Sequence, residues 1–477
     1  MPVVPKRALT FDSPVVDRNG SEIPPYNTTY YFEQLIDHNN PSLGTFSQRY
    51  WTTWEFYEPG MACLEIFLTN QTIVGQIAQQ QNGATVMLEH RFYGFSNPYQ
   101  NLSVASLQVH TIPQAIDDLA YFANNVQLPM PGGDQLSPAN APWILVGGSY
   151  AGALTSYTLL NQPDAFWAGY SSSGVVEGII NFWQYFDIPR QYMPQNCSAD
   201  VQAVIAYIDE TFVNGTTEEI DAIETTFGMN LTHLDDFSYA LTNPLAAWQN
   251  LQPDGGSDQP FFQFCDALEV KDGVNASAEG WGLDYALQAW GSWWQDVYIP
   301  GCTPTPLLLS CFGTYDPTNP VWTNITVNNS QRSWGWIVCN YMGFFQGGAP
   351  KGDPTIVSRL VDPAYYERWC TYYFPEAFPT AAAPDVDAIN KAYDGWFLST
   401  ERLFQATGKR DPWLDATVGA QGLNTTSTDL QPIAMSDGFH CSDMYAANAV
   451  VDSTVAAVQN QGLSSIATWL QDWQPST

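Results

Sequence analysis

The stretch Trp143 to Leu154, WILVGGSYAGAL, runs from an apolar segment through two glycines to a serine and on into small residues. The apolar run reads as a buried strand, Gly147-Gly148-Ser149 as a tight turn, and the small residues after it as the start of a packed helix. A sharp strand-to-helix turn of this kind lifts a serine Oγ above the edge of a sheet, where a nucleophile has to stand. A serine in a Gly-x-Ser context is nevertheless structural more often than catalytic. The reading therefore depends on whether the chain also supplies a base and an acid in the right order.

Outward from this turn the pattern alternates. Ala84 to Glu89 reads as a short buried strand, and Pro113 to Asn124 as a helix with Ala115, Ile116, Leu119, Phe122 and Ala123 on one side. Proline is tolerated there because the first helical N–H groups have no partner. Pro142 to Val146 is the next strand, Ala151 to Leu160 the next helix, and Ala168 to Val175 another strand. Such alternation predicts a largely parallel sheet with crossover helices. From Ile179 to Pro384 the character changes: the region is rich in Trp, Tyr and Phe, holds six of the eight cysteines, and shows helical patterns at 199–212 and 281–294. The alternation returns with strand candidates at Arg402 to Thr407 and Leu430 to Met435, then a closing amphipathic helix from Ala446 to Trp473, expected to break near Gly462. The expected organisation is an arm (1–28), the first part of an α/β core (29–178), a mainly helical cap (179–384) and the second part of the core (385–477).

Composition limits the partners. The chain of 477 residues carries 15 Lys+Arg against 48 Asp+Glu, a net charge of −33. That balance argues against nucleic acid and anionic membranes, and it points to an acidic working medium, in which self-repulsion is milder. The cysteines lack CxxC spacing, which disfavours zinc and favours disulfides; no metal or other cofactor is expected. Sequons at Asn19, Asn27, Asn70, Asn101, Asn196, Asn214, Asn230, Asn275, Asn324, Asn328 and Asn424 point to a glycosylated, extracytoplasmic protein, secreted or lysosomal/vacuolar. The opening MPVVPKRALTF has no apolar signal core, so the expected leader would lie outside this sequence.

An elbow serine needs a histidine to take its proton and a carboxylate to hold that histidine. The five histidines are His38, His90, His110, His233 and His440. In the order Ser, Asp, His, only His440 fits, in MSDGFHCSD just after a strand candidate; Asp411, in ATGKRDPW, also follows one. Each residue alone reads blandly as turn or surface. In order, and each after a strand, Ser149, Asp411 and His440 form a candidate triad.

Several segments together resemble one family. YFEQLIDHNNPSLGTFSQRYW (31–51), LEHRFYGFSNPY (88–99), GGSYAGAL (147–154), NFWQYF (181–186), QNCSADV (195–201), FFQFCDALE (261–269), DPW (411–413) and GFHCSD (438–443) resemble the serine peptidases of lysosomal Pro-X carboxypeptidase, the related dipeptidyl peptidase and the fungal acid prolyl endoproteases, most closely the fungal branch. The resemblance implies an α/β-hydrolase core with a helical cap that cleaves peptides after proline. It implies Ser149 as nucleophile, Asp411 as orienting acid, His440 as base and the Tyr150 N–H as one oxyanion donor. Trp413 and Ala153 would line an apolar site for the proline ring. Trp334, Trp336 and Phe345 are further lining candidates, with cap core an equal alternative; Glu89 is expected near the site, and His38 and His90 are expected to be structural.

The chain also departs from the family pattern. Ala151 stands where Gly or Ser is usual, and Thr407-Gly408 where Asn-Gly is usual. Between Trp51 and Leu68 the sequence is short for the family's apolar strand and glycine turn, which carry the second oxyanion donor. Gly60 is the substitute candidate, and Cys63 is expected to be unpaired. Two rival readings remain: a carboxylesterase or lipase on the same fold, and a catalytically impaired secreted glycoprotein.

Overall fold

The computed structural model describes residues 15–18, 20–56, 67–302 and 311–475. The N-terminal part builds an antiparallel ladder from β1 (Tyr30–Leu35), β2 (Thr45–Thr53) and β3 (Thr85–Leu88). Next come the paired parallel strands β4 (Ile144–Gly148) and β5 (Ala168–Ser172). The long middle region is mainly helical; its strands are the short β6 (Ile179–Asn181), a two-residue hairpin of β7 (Val270–Lys271) and β8 (Val274–Asn275), and β9 (Gly343–Phe345), which pairs with β6. Afterwards β10 (Leu403–Gly408) and β11 (Ile433–Ser436) rejoin the sheet, giving the order β11-β10-β5-β4. All residues of β5 and β10 are buried, as expected of parallel strands covered on both faces. This is an α/β-hydrolase core with a mainly helical cap between β5 and β10.

Helices cover the sheet on both sides. Ile112–Asn125 and Tyr150–Asn161 pack on one face, the first capped by Thr111, whose hydroxyl accepts from Gln114 N–H. Ile73–Gln81 and Ser453–Leu470 pack on the other through Ile73, Val74, Ile77, Val458, Ile466 and Trp469. The closing helix breaks at Asp452, not near Gly462. Asp452 caps the longer segment by accepting from Thr454 N–H at 2.9 Å, whereas Gly462 lies inside it because a Cβ there would come within 2.5 Å of Tyr170.

Among the described residues the two ladders are separate sheets. β3 pairs with β2, β4 pairs with β5, and among the described residues no strand bridges β3 and β4. In the segment where a strand is missing from the sequence pattern, Thr52 and Thr53 finish β2. Gly60 and Cys63 lie outside the described residues, as does Asn19. None of the other sequon asparagines is buried. The described disulfides are Cys197–Cys265, Cys302–Cys311 and Cys339–Cys370, all between β5 and β10. Cys441 is a free thiol. No helix among the described residues is long and apolar enough to cross a membrane.

Candidate active site

Ser149 stands between β4 and the helix Tyr150–Asn161, at the helix N-cap, with φ 59° and ψ −125°. This left-handed conformation is costly for a non-glycine residue and marks functional sites when the surroundings enforce it. They do so here. Ser149 N–H donates to Ser172 O at 2.8 Å across the sheet, and Ser149 O accepts from Ala153 N–H at 3.0 Å. The small residues follow from close approach. A Cβ at Gly147 would strike Ala151 O, and one at Gly152 would meet Gly174 and Ser172 O at 2.9 Å. Ala151 is exposed, so its methyl group obstructs nothing. The Tyr150 N–H, first in the helix, points from the same turn and has no hydrogen-bond partner among the described residues.

Asp411 and His440 are brought together from loops after β10 and β11. His440 Nδ1 lies 2.9 Å from Asp411 Oδ1, which also accepts from Trp413 N–H at 2.9 Å. Asp411 is fully buried, and its Oδ2 has no hydrogen-bond partner. Burial opposes charge on His440, yet the Asp411 carboxylate, assisted by the Cys441 sulfur, outweighs it and raises the imidazole pKa well above its ordinary value. Ser149 Oγ makes no hydrogen bond to His440; catalytic contacts of this type commonly tighten only when substrate binds. The two loops nevertheless meet at the tip of β5. Ser172 O holds the Ser149 amide, and Cys441 N–H donates to Ser173 Oγ at 3.0 Å.

Trp413 sits in an aromatic box. Phe182, Tyr185 and Phe344 surround it at centroid distances of 5.5, 5.2 and 5.0 Å, and its ring tilts over His440 at 6.3 Å, leaving it 7% exposed. Ala153 is buried behind the elbow. Trp334 packs edge-on against Tyr150 at 5.3 Å. Trp336 and Phe345 instead belong to the cap core: Trp336 packs on Phe374, and Phe345 stacks on Tyr366 at 5.3 Å. The residue beside the site is the neighbour Phe344, turned there by its positive φ of 58°. Glu89 is fully engaged: it binds Arg49 through both oxygens and accepts from Phe95 N–H, Ser96 N–H and Ser96 Oγ, which shapes the loop after β3. His38 bonds Asp118 at 2.8 Å, and His90 Nδ1 lies 2.7 Å from Arg91 O.

The residues that tie the cap to these loops carry no local sequence signal. Trp248 Nε1 donates to Arg410 O at 2.7 Å, and Gln252 Nε2 donates to His440 O at 3.1 Å. Gln249 Oε1 accepts from both Trp413 Nε1 (2.7 Å) and Tyr185 OH (2.9 Å). A glutamine more than 160 positions from its partner carries no local signal. Among the described residues, no cluster of three or more His, Cys, Asp or Glu could hold a metal ion.

A strained serine at a helix N-terminus beside a buried carboxylate–imidazole pair is an arrangement of serine hydrolases. The chain matches the Serine carboxypeptidase S28 family over residues 34–251 and 302–461. It belongs to that family. It is 36% identical to the serine protease vicPa of Bipolaris victoriae, over 93% of this chain and 88% of the relative. It is 31% identical to a probable extracellular serine carboxypeptidase of Arthroderma benhamiae, over 83% and 59% of the two chains. With the human thymus-specific serine protease it shares 27% identity, over 92% and 86%. Among solved structures it aligns with a proline iminopeptidase of Mycobacterium smegmatis at 10% identity, covering 91% of this chain and 100% of that one with a TM-score of 0.33, too low to bear on chemistry. The protein is a serine peptidase of the S28 family.

Proposed function

We propose that this S28 peptidase is a secreted glycoprotein that cleaves peptide bonds on the carboxyl side of proline. In this reading Ser149 Oγ attacks the scissile carbonyl, and His440 takes its proton and later passes it to the leaving amine. Asp411 holds the imidazole by its Nδ1–H. The Tyr150 N–H receives the developing oxyanion, with Gly60 as the candidate second donor. The observation that carries the reading is the 2.9 Å His440–Asp411 contact next to a serine locked at φ 59°. Proline specificity draws support from the indole of Trp413 beside His440, an apolar face suited to a pyrrolidine ring that offers no N–H. Trp334 is a candidate for a neighbouring subsite, and the fungal resemblance favours cutting within chains.

Two terms set the pH range. The −33 charge favours an acidic medium, while the raised His440 pKa means that the neutral base is lost as pH falls through that value. A profile of kcat/KM against pH should therefore fall on its acid limb with the titration of one group. The proposal is tested by assaying chromogenic peptides with proline or alanine before the cleaved bond beside short-chain esters. Selective cleavage after proline supports it; ester cleavage without peptide cleavage replaces it by the carboxylesterase reading. The short sequence between Trp51 and Leu68, where the second oxyanion donor is expected, supports a second reading, reduced turnover. Removing one oxyanion donor costs roughly 10²–10³ in rate, so a variant with the family-length segment restored before Leu68 should then be that much faster.

A further inference from the structure

The base loop carries a second buried carboxylate that the proposed chemistry does not use. Asp443, three residues after His440 and 2% exposed, accepts from Ser172 Oγ at 2.8 Å and from Tyr170 OH at 2.9 Å. Both hydroxyls come from β5, and Asp443 O accepts from Gln459 Nε2 of the closing helix at 2.9 Å. The Ser172 bond differs from the Tyr170 bond in what lies on its far side. The carbonyl of Ser172 holds the Ser149 amide at 2.8 Å and receives the Cys441 thiol at 3.7 Å, and the next hydroxyl, on Ser173, accepts from Cys441 N–H. One residue at the tip of β5 therefore touches Asp443 by its side chain, the nucleophile by its carbonyl, and the neighbour of the base by the same carbonyl. Tyr170 lies deeper in the sheet, opposite Val146 and packed on Phe404.

We propose that Asp443 is a positioning residue: through Ser172 it fixes the nucleophile turn and the base loop in one register. The proposal rests on the Ser149–His440 reading above. Its physical basis is that a misplacement of about 1 Å between reacting groups can cost roughly 10²-fold in rate. Here the two groups sit on loops whose described hydrogen bonds to each other's support run through this strand end. Burial pushes the Asp443 carboxyl upward, and the two hydroxyls hold it down.

The test uses the full chain in three variants, Asp443→Asn, Ser172→Ala and Tyr170→Phe. A fluorophosphonate probe reads the reactivity of the serine without any substrate preference; kcat, KM and Tm are measured alongside. Asp443→Asn and Ser172→Ala are expected to slow labelling and kcat by roughly 10- to 100-fold with KM within twofold of the parent. Tyr170→Phe removes a bond of matching length and burial, so it should lower Tm by a similar amount while slowing labelling far less. Equal slowing by Ser172→Ala and Tyr170→Phe, or parental labelling in a folded Asp443→Asn protein, overturns the proposal. If Asp443→Asn fails to fold, the Ser172–Tyr170 pair decides. A parent enzyme that the probe does not label at Ser149 overturns the functional reading and this proposal with it. Labelling without cleavage after proline removes only the specificity and leaves the positioning role standing on the labelling rates.

Discussion

The core and the cap are held together by different physics. The core places its candidate reactive groups at the ends of parallel strands and locks them with buried hydrogen bonds: Ser149 to Ser172, Asp411 to His440, Asp443 to Ser172 and Tyr170. The cap has almost no sheet. Among the described residues, three disulfides and a dense set of aromatic contacts hold it, and it reaches the site through Trp248, Gln249 and Gln252. Strand ends give a fixed geometry that chemistry needs, whereas an insertion without a ladder needs covalent ties and large side chains to stay in place. The core should therefore fail by losing rate, and the cap by losing stability or selectivity.

The most severe test of that division is the triad. Ser149→Ala or His440→Ala should reduce kcat by roughly 10⁴-fold or more, with Tm within a few degrees of the parent by calorimetry. Residual turnover near the parental level would end the assignment. The next effect belongs to the cap. Replacing Cys197 and Cys265 by alanine opens a loop spanning 68 positions, a loss of about 4 kcal/mol on loop-closure grounds. Denaturation followed by cap tryptophan fluorescence should shift strongly, while fluorophosphonate labelling of Ser149 persists at low denaturant. Simultaneous loss of both signals would show that cap and core form one cooperative unit.

A smaller effect depends on pH. Glu269 is 3% exposed, and both of its carboxylate oxygens lack partners. Burial first, and then Asp200, raise its pKa to about 7. Asp200 is itself tied to the N–H groups of Trp281 and Gly282, and Lys271, two residues on from Glu269, lies over the rings of Trp281 and Tyr285. A carboxyl group with a raised folded-state pKa contributes stability that is full below its unfolded value, near 4.5, and is lost as pH rises through 7. The cap should thus be most stable in acid, by up to about 3 kcal/mol. Glu269→Gln should flatten Tm between pH 5 and 8; an unchanged slope would assign the pH dependence elsewhere. The smallest expected effect tests the join between the two regions. Gln249→Leu strands Trp413 Nε1 and Tyr185 OH without their acceptor, a cost of roughly 1–3 kcal/mol. It should lower kcat/KM for proline peptides several-fold more than for esters, and equal losses would place Gln249 outside the specificity of the site.

Much of this is legible in the sequence. The Gly147-Gly148-Ser149 turn, the β10 and β11 strand ends and the order of Asp411 and His440 rest on short-range rules: burial of apolar runs, the steric demands of a tight turn, and loops at strand ends. The sequence between Trp51 and Leu68 is short for the expected strand, and residues 57–66 lie outside the described residues. The break of the closing helix was misplaced, since glycine lowers helix propensity but here makes room for Tyr170, while Asp452 supplies the cap that starts a new helix.

Short-range rules suffice to read the alternation of strands and helices, the aromatic character of the insertion and the three candidate catalytic side chains from the sequence. Tertiary structure alone decided which cap residues meet them. Phe344 rather than Phe345 faces Trp413 because one backbone angle at φ 58° turns it there. Gln249, Gln252 and Asp443 gain their roles from contacts that span 164, 188 and 271 positions. Local propensity reaches a few residues along the chain, and a polar side chain looks the same in sequence whether it meets water or a buried partner. Only the packing of distant segments distinguishes the two.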